Sequence, residues 1–422
     1  MTRRVLIVYE KFGLGHLRMA NILKDILLDE DVEVIIAAGT ELRGAEDVKF
    51  FVSMWNYFLR KNWIRIADFA VNFLAHLIFI PLGEVVSTSK FLNELDHIKP
   101  DIIISTADSF NRQLGNYARR NRIPFYIFIT EIALFYDLVH PYATHICYFE
   151  ETAGAVRTYD FHQAYFDENV DGGSPFWERM SFLLKNYSGF LVKGMRKSMY
   201  RDAKQYWPEL NQAKCLCVGA LAEKKHFTHK DMSALQLKYR IKPETDTVLV
   251  ASGSLGGKLL QDVIEHMQHH CTRPLNLLVM CGYDADLYRK ISKKSNGNSH
   301  LNVMPFVYTS DFDEFMEIAD CVIIRPSAGV FMESLIKKKP VITFKLATTN
   351  DRGTLTIINK YQLGKVCRHY RDLSHCLNLI LDNKESYIKN IERFLSSYPC
   401  DWEEKRTIIK GLILAPANPG TS

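Results

Sequence analysis

A chain of 422 residues with 47% apolar and 24% charged side chains has an ordinary globular balance and exceeds what one hydrophobic core usually supports, so two domains of roughly 200 residues are expected. Its formal net charge of +5 is too mild to argue for a nucleic-acid partner. The nine cysteines form no C-x-x-C pair, and Cys215 with Cys217 is too tight a spacing for a zinc knuckle, so free thiols are expected rather than a disulfide framework or zinc module.

The chain opens on Arg3-Arg4 running directly into Val5-Leu6-Ile7-Val8, a strand rather than a secretory apolar segment. Val5 to Tyr9 is a short, continuous apolar run of the kind buried on both faces of a parallel sheet. Gly13 and Gly15 follow it, and Met19, Ile22, Leu23, Ile26 and Leu27 then repeat at helical spacing. Further strands are expected at 32–37, 101–105, 125–130 and 145–149, with Pro100 and Pro124 as punctuation. From Cys215 the alternation restarts, with strands at 214–218, 247–252, 275–281, 301–305, 321–324 and 340–344. Helices are expected between them at 259–269, 284–292, 312–319, 329–337 and 355–361. The expected division is 1–213 and 214–374 as two α/β domains, 375–414 as helices packing back toward the first, and 415–422 as a tail.

Two stretches break this alternation. Within 50–83, apolar residues recur at 51, 54, 55 and 58 and again at 66, 69, 70, 73 and 77, with Arg60, Lys61 and Arg65 at the joint. Within 176–207, basic residues concentrate among Tyr187, Phe190, Leu191, Met195, Met199 and Tyr200. Core packing and solvated helix faces account for such patterns in many proteins; aromatic rings beside cations also suit an anionic membrane surface. The longest uncharged run, 69–83, falls short of the ~20 apolar residues of a spanning helix. A cytoplasmic protein peripherally associated with the inner face of the membrane is therefore expected.

The chemistry concentrates at two turns. After the strand 321–324 comes Arg325-Pro326-Ser327-Ala328-Gly329, where small residues at a helix start let backbone N–H groups approach an anion. This turn reads as a diphosphate cradle, and Glu333, further along the same helix, as a carboxylate able to meet ribose hydroxyls. After the first strand comes Gly13-Leu14-Gly15-His16, with His16 at a helix start. It lacks the third glycine of the dinucleotide fingerprint, and no acidic residue closes the second strand before Gly39, which argues against a Rossmann dehydrogenase.

The Gly-x-Gly-His loop, the paired Rossmann-like domains and the acidic helix after the last phosphate turn together resemble a GT-B glycosyltransferase. The chain looks like the branch of monogalactosyldiacylglycerol synthase, the processive diacylglycerol glucosyltransferases and the lipid-linked N-acetylglucosaminyltransferase of peptidoglycan assembly. Lys99-Pro100-Asp101-Ile102-Ile103-Ile104-Ser105-Thr106 is similar to the family's K-P-D-x-I-I-x-T strand. Ile127 to Glu131 stands where relatives end a strand in Thr-Asp, and His140 where they have a W-x-H-like segment. Val248 to Gly257, Met280-Cys281-Gly282 and Val303 to Val307 match the donor domain. In two places the chain departs from the pattern: Arg325 to Val330 replaces Lys-Pro-Gly-Gly-x-Thr, and Thr348-Thr349-Asn350-Asp351 replaces Pro-Gly-Gln-Glu.

The resemblance implies an α/β fold of GT-B type, two doubly wound parallel-sheet domains facing a central cleft. It implies inverting transfer of a hexose or N-acetylhexosamine from a UDP-sugar to a diacylglycerol or polyprenyl-linked acceptor, with no cofactor and no obligatory metal. His16 or Glu131 is then the general base. The donor side comprises Gly15, Gly253, Ser254, Gly256, Phe306, Arg325, Ser327, Ala328, Gly329, Glu333, Asn350 and Asp351; Gly13 and His140 stand on the acceptor side. A soluble acceptor, epimerase chemistry, or a non-catalytic protein of the same fold is the alternative, and oligomeric state leaves no signature.

Overall fold

The computed structural model describes residues 2–11, 14–28, 31–43, 48–69, 90–134, 138–158, 214–253, 256–294 and 298–415. Two six-stranded sheets organise them, and every strand pairing in both is parallel. In the first, β1 (Arg3–Tyr9), β2 (Val32–Ala38), β3 (Ile102–Ser105), β4 (Phe125–Phe128), β5 (Thr144–Cys147) and β6 (Cys215–Cys217) lie in the order β2-β1-β3-β4-β5-β6. In the second, β7 (Thr247–Ala251), β8 (Leu275–Met280), β9 (Leu301–Phe306), β10 (Cys321–Ile324), β11 (Val341–Phe344) and β12 (Gly364–Cys367) lie in the order β12-β11-β10-β7-β8-β9.

Short apolar runs made these strands because both faces of each sheet are covered, so no residue needs a polar alternate. Val5 to Val8, Ile102 to Ser105, Val248 to Val250 and Cys321 to Ile324 are all buried. One layer of core is continuous through both lobes: Val5, Ile7 and Met19 of the first belong to the same buried cluster as Leu249, Val322 and Phe331 of the second, and as Trp402, Ile409 and Ile413. The outer faces have separate cores, one around Leu6, Ile103 and Leu114, the other around Val250, Val263 and Ile323.

Two boundaries differ from the sequence reading. Cys215–Cys217 does not open the second sheet; it pairs with β5 and closes the first, so the second sheet begins at Thr247. A lone short strand carries no signal of its partner, and its register with β5 is a long-range choice. β12 was not expected at all, its four residues Gly-Lys-Val-Cys being too few and too mixed to register as a strand. The helix Trp402–Leu414 does return to the first lobe: Arg406 Nε donates to the Ile26 carbonyl at 3.3 Å and Tyr126 Oη to the Leu412 carbonyl at 2.9 Å.

Among the described residues no helix is long and apolar enough to cross a membrane. Of the 50–83 stretch, the helices Val48–Arg60 and Ile64–Phe69 are described. They hold Tyr57, Trp63, Ile66 and Phe69 about half exposed. Tyr57 and Phe58 both pack on Trp63, at 5.9 and 6.2 Å between ring centroids. Lys61 Nζ lies 5.8 Å over the Tyr57 ring. The remainder of that stretch, and all of 176–207, lie outside the described residues.

Candidate active site

The loops that leave the carboxyl ends of the strands meet between the lobes. His16 enters on the helix Gly15–Leu27, which carries no side-chain cap, so its first N–H groups stay available. The ring is buried. Its Nδ1 contacts the Thr106 carbonyl at 2.7 Å, and because a carbonyl can only accept, Nδ1 carries a hydrogen. Thr130 Oγ1 stands 3.3 Å from the same nitrogen. The other nitrogen, Nε2, faces Asp108 Oδ2 at 3.3 Å. Thr106 Oγ1 returns a hydrogen bond to the His16 carbonyl at 3.0 Å, locking the helix start onto the end of β3.

Glu131 follows β4 into the same space, its Oε2 sealed from water and without a hydrogen-bond partner among the described residues. The second lobe brings Arg325 and Asp351, whose side chains approach to 3.8 Å. Asp351 immediately precedes the helix Arg352–Tyr361. A Cβ on Gly353 would lie 2.4 Å from the Ala133 nitrogen, so only glycine lets that helix start rest on the Glu131 loop.

Charge in this cluster is shared across the lobes. Burial alone would lower the His16 pKa, but the Asp108 carboxylate, with a contribution from Glu131, raises it to about 9. Glu131 is pushed well above the usual carboxylate range, first by burial and then by Asp108 and Asp351, with His16 and Arg325 pulling the other way. The imidazole is thus held toward its charged form by the carboxylate facing it, while burial favours the neutral form of the Glu131 carboxyl.

The turn at Ser327 to Gly329 is open. The helix Ala328–Ile336 starts after Ser327, whose hydroxyl makes no capping bond. Cβ atoms built on Gly15, Gly253 and Gly329 would each meet nothing within 4 Å. Gly253 also has φ +75°, a left-handed conformation that favours glycine. Ala328 is buried beneath this turn, and Asn350 is half-buried beside Asp351. Gly13 and Ser254 lie outside the described residues.

Four expected ligands make packing or ion-pair contacts within the protein. His140 is wholly buried against Gly115, its Nδ1 accepting from the Tyr142 N–H at 3.1 Å and its Nε2 3.3 Å from Asn116 Oδ1. Burial, with the charge of nearby His145 and Arg112, holds it well below its ordinary pKa, as a neutral core histidine. Gly256 is pressed against the Cys281 carbonyl and Asp284, so its lack of a side chain serves the turn's own packing. Phe306 packs on Tyr239 and Phe315 at 5.9 and 4.6 Å; the exposed rings at that end of the sheet are Tyr283 and Tyr308, stacked at 4.4 Å. Glu333 is only 1% exposed and faces Arg18 of the opposite lobe instead of the open side of the turn.

Sequence reasoning also passed over Asp108, Thr106, Thr130 and Arg18. Asp108 had one usable signal, an acid just beyond the end of a buried strand in a doubly wound sheet, where such folds gather their ligands.

Two parallel-sheet lobes with their strand ends turned toward a shared site are the GT-B fold. Over 98% of this chain and 99% of the other, the structure superposes on the crystal structure of Acinetobacter baumannii MurG with a TM-score of 0.58 at 12% identity. Residues 247–355 match the family model described as the Glycosyltransferase family 28 C-terminal domain. The chain is 25% identical, over 156 residues, to the UDP-N-acetylglucosamine--N-acetylmuramyl-(pentapeptide) pyrophosphoryl-undecaprenol N-acetylglucosamine transferase of Clostridium botulinum, an alignment covering 35% of this chain and 42% of that protein. It is 24% identical over 120 residues to the processive diacylglycerol beta-glucosyltransferase of Staphylococcus saprophyticus, covering 27% of this chain and 29% of that one. The chain thus matches less than half the length of these relatives.

Proposed function

We propose that this chain is a glycosyltransferase that moves a hexose or N-acetylhexosamine from a UDP-sugar to a lipid-type acceptor, diacylglycerol or polyprenyl-linked, with inversion at the anomeric carbon. One observation carries the reading: His16, Asp108 and Glu131 of one lobe converge with Arg325 and Asp351 of the other. The open, uncapped starts of the His16 and Ala328 helices belong to the same site.

In this reading the diphosphate lies on the N–H groups of Ser327 to Gly329, where the helix dipole and Arg325 offset its charge. That local positive charge replaces a metal, so chelation of divalent ions leaves turnover intact. The stacked Tyr283 and Tyr308 offer the nucleobase a flat face at the ends of β8 and β9. The acceptor hydroxyl attacks the anomeric carbon as the bond to the diphosphate oxygen breaks. Its proton passes to His16 Nε2, and Asp108 stabilises the imidazolium so formed. Thr106 fixes Nδ1 as the protonated nitrogen, leaving Nε2 as the titrating one. Glu131, whose oxygen Oε2 is sealed from water and whose neutral form burial favours, is the weaker candidate for the base.

The half-exposed apolar side chains of Tyr57, Trp63, Ile66 and Phe69, with Arg60, Lys61 and Arg65 beside them, suit an anionic bilayer. This pattern supports the reading of a peripheral protein on the cytoplasmic face of a membrane. The test is incubation with UDP-sugars in the presence of anionic vesicles containing diacylglycerol or a polyprenyl-linked sugar. Sugar-bearing lipid and free UDP are the expected products; an isomerised donor with no lipid product would instead support an epimerase.

A further inference from the structure

The helix bearing His16 and the helix opening at the diphosphate turn are joined by one guanidinium, that of Arg18. Its Nη1 forms an ion pair with Glu333 Oε1, its Nε donates to Glu223 Oε1 at 2.7 Å, and its Nη2 lies 3.2 Å from His226 Nε2. Three nitrogens of one planar group thus hold three partners: the second lobe's helix Ala328–Ile336 and two residues of the segment between the sheets. Glu223 is itself tied to Lys225 Nζ at 2.6 Å. Glu333 is buried, and neither of its carboxylate oxygens accepts an aligned hydrogen bond among the described residues. Its charge is compensated across the lobe boundary.

Arg18 is two residues beyond His16 on one rigid helix, and Glu333 is about a turn and a half beyond Ser327 on another. We propose that Arg18 is a positioning residue whose clasp on Glu333 and Glu223 fixes the separation between His16 and the diphosphate turn. The inference rests on the sugar-transfer reading of the site. It also reassigns Glu333: the carboxylate that the resemblance gives to ribose belongs to the clasp. In-line displacement needs attacking and leaving oxygens held on opposite sides of one carbon, so a misplacement of about 1 Å between base and cradle costs about 10²-fold in rate. Lysine cannot reproduce the clasp, being a point charge without the planar fork.

The experiment compares the full chain with R18Q, R18K, E333Q and the double variant R18Q/E333Q. The readouts are kcat and KM for sugar transfer, UDP affinity by calorimetry, and the urea midpoint. R18Q and E333Q are each expected to lower kcat about 10²-fold in fully folded protein while UDP affinity stays within about threefold. The double variant should be no slower than R18Q, as for partners in one interaction, and R18K should recover part of kcat. Wild-type kcat in R18Q, or a loss that follows the folded fraction alone, would overturn the proposal. So would E333Q weakening UDP tenfold or more while leaving 2′,3′-dideoxy-UDP unaffected, the mark of a ribose ligand. If the wild type binds UDP yet transfers no sugar, the transferase reading is what fails. The clasp is then read from amide exchange along Gly15–Leu27, expected faster in R18Q, with equal rates overturning it.

Discussion

Replacing Asp108 with Asn removes the charge facing His16 Nε2 at 3.3 Å while keeping the size of the side chain. The displacement of His16 from 6.5 to about 9 corresponds to roughly 3 kcal/mol favouring the charged ring. At pH 7 only about 1% of such a histidine is neutral. If His16 must be neutral to accept the acceptor proton, kcat/KM climbs about tenfold per pH unit from 7 and levels off near 9. In D108N the levelling point should fall from about 9 toward 6.5, with a lower plateau because the imidazolium has lost its partner. Stability gives an independent check. The folded pKa lies above the unfolded one, so the Asp108 contribution is fully present below pH 6.5 and lost as pH rises through about 9. Thermal melts of D108N should therefore trail the wild type by a wide margin at pH 6 and converge with it at pH 10. A wild-type profile flat between pH 7 and 9, or a D108N profile still levelling at 9, would refute the assignment of His16 as the base.

Glu131→Gln should raise stability at pH 8, because burial has raised the carboxyl's folded pKa and the wild type loses stability as pH climbs above 4.5; chemical unfolding at pH 5 and 8 reads the difference. Gly329→Val projects a side chain into open space without meeting protein, so nucleotide affinity should fall at least tenfold with little change in melting temperature. Gly353→Ala forces the Arg352–Tyr361 helix off the Glu131 loop, and should cost about 1–3 kcal/mol in urea unfolding. Trp63→Ala with Phe69→Ala should abolish sedimentation with anionic vesicles while sparing UDP affinity; undiminished sedimentation would move the membrane contact elsewhere.

Much of the architecture was legible because parallel strands buried on both faces announce themselves as apolar runs. Val5 to Val8 and Cys321 to Ile324 are such runs, and the small residues after each marked the two turns that face open space. His16, Glu131, Arg325 and Asp351 converge although they are far apart in the chain, because each sits just past the carboxyl end of a strand. What escaped notice depended on distant neighbours. Nothing around His140 foretells that Gly115 opens a slot for its ring, and nothing around Glu333 foretells that Arg18 reaches across to it. An acidic residue on a helix reads the same whether it meets a ligand or an arginine. β6 was expected as a strand but assigned to the wrong sheet for a related reason: its membership in the first sheet is decided by its pairing with β5 across a long connection.

The helix Trp402–Leu414 lies against the first lobe, with Arg406 reaching the Ile26 and Leu28 carbonyls and Arg3 the Leu414 carbonyl. The first lobe is thus completed by a segment nearly four hundred residues downstream, and the peptide passes between lobes twice. Two crossings tie the lobes together at two separate points of the chain. They also impose an order of assembly: until this helix arrives, the flank of the His16 helix lacks its cover, whereas the second sheet can already be complete. Truncation near residue 400 should therefore unravel the lobe that comes first in the chain.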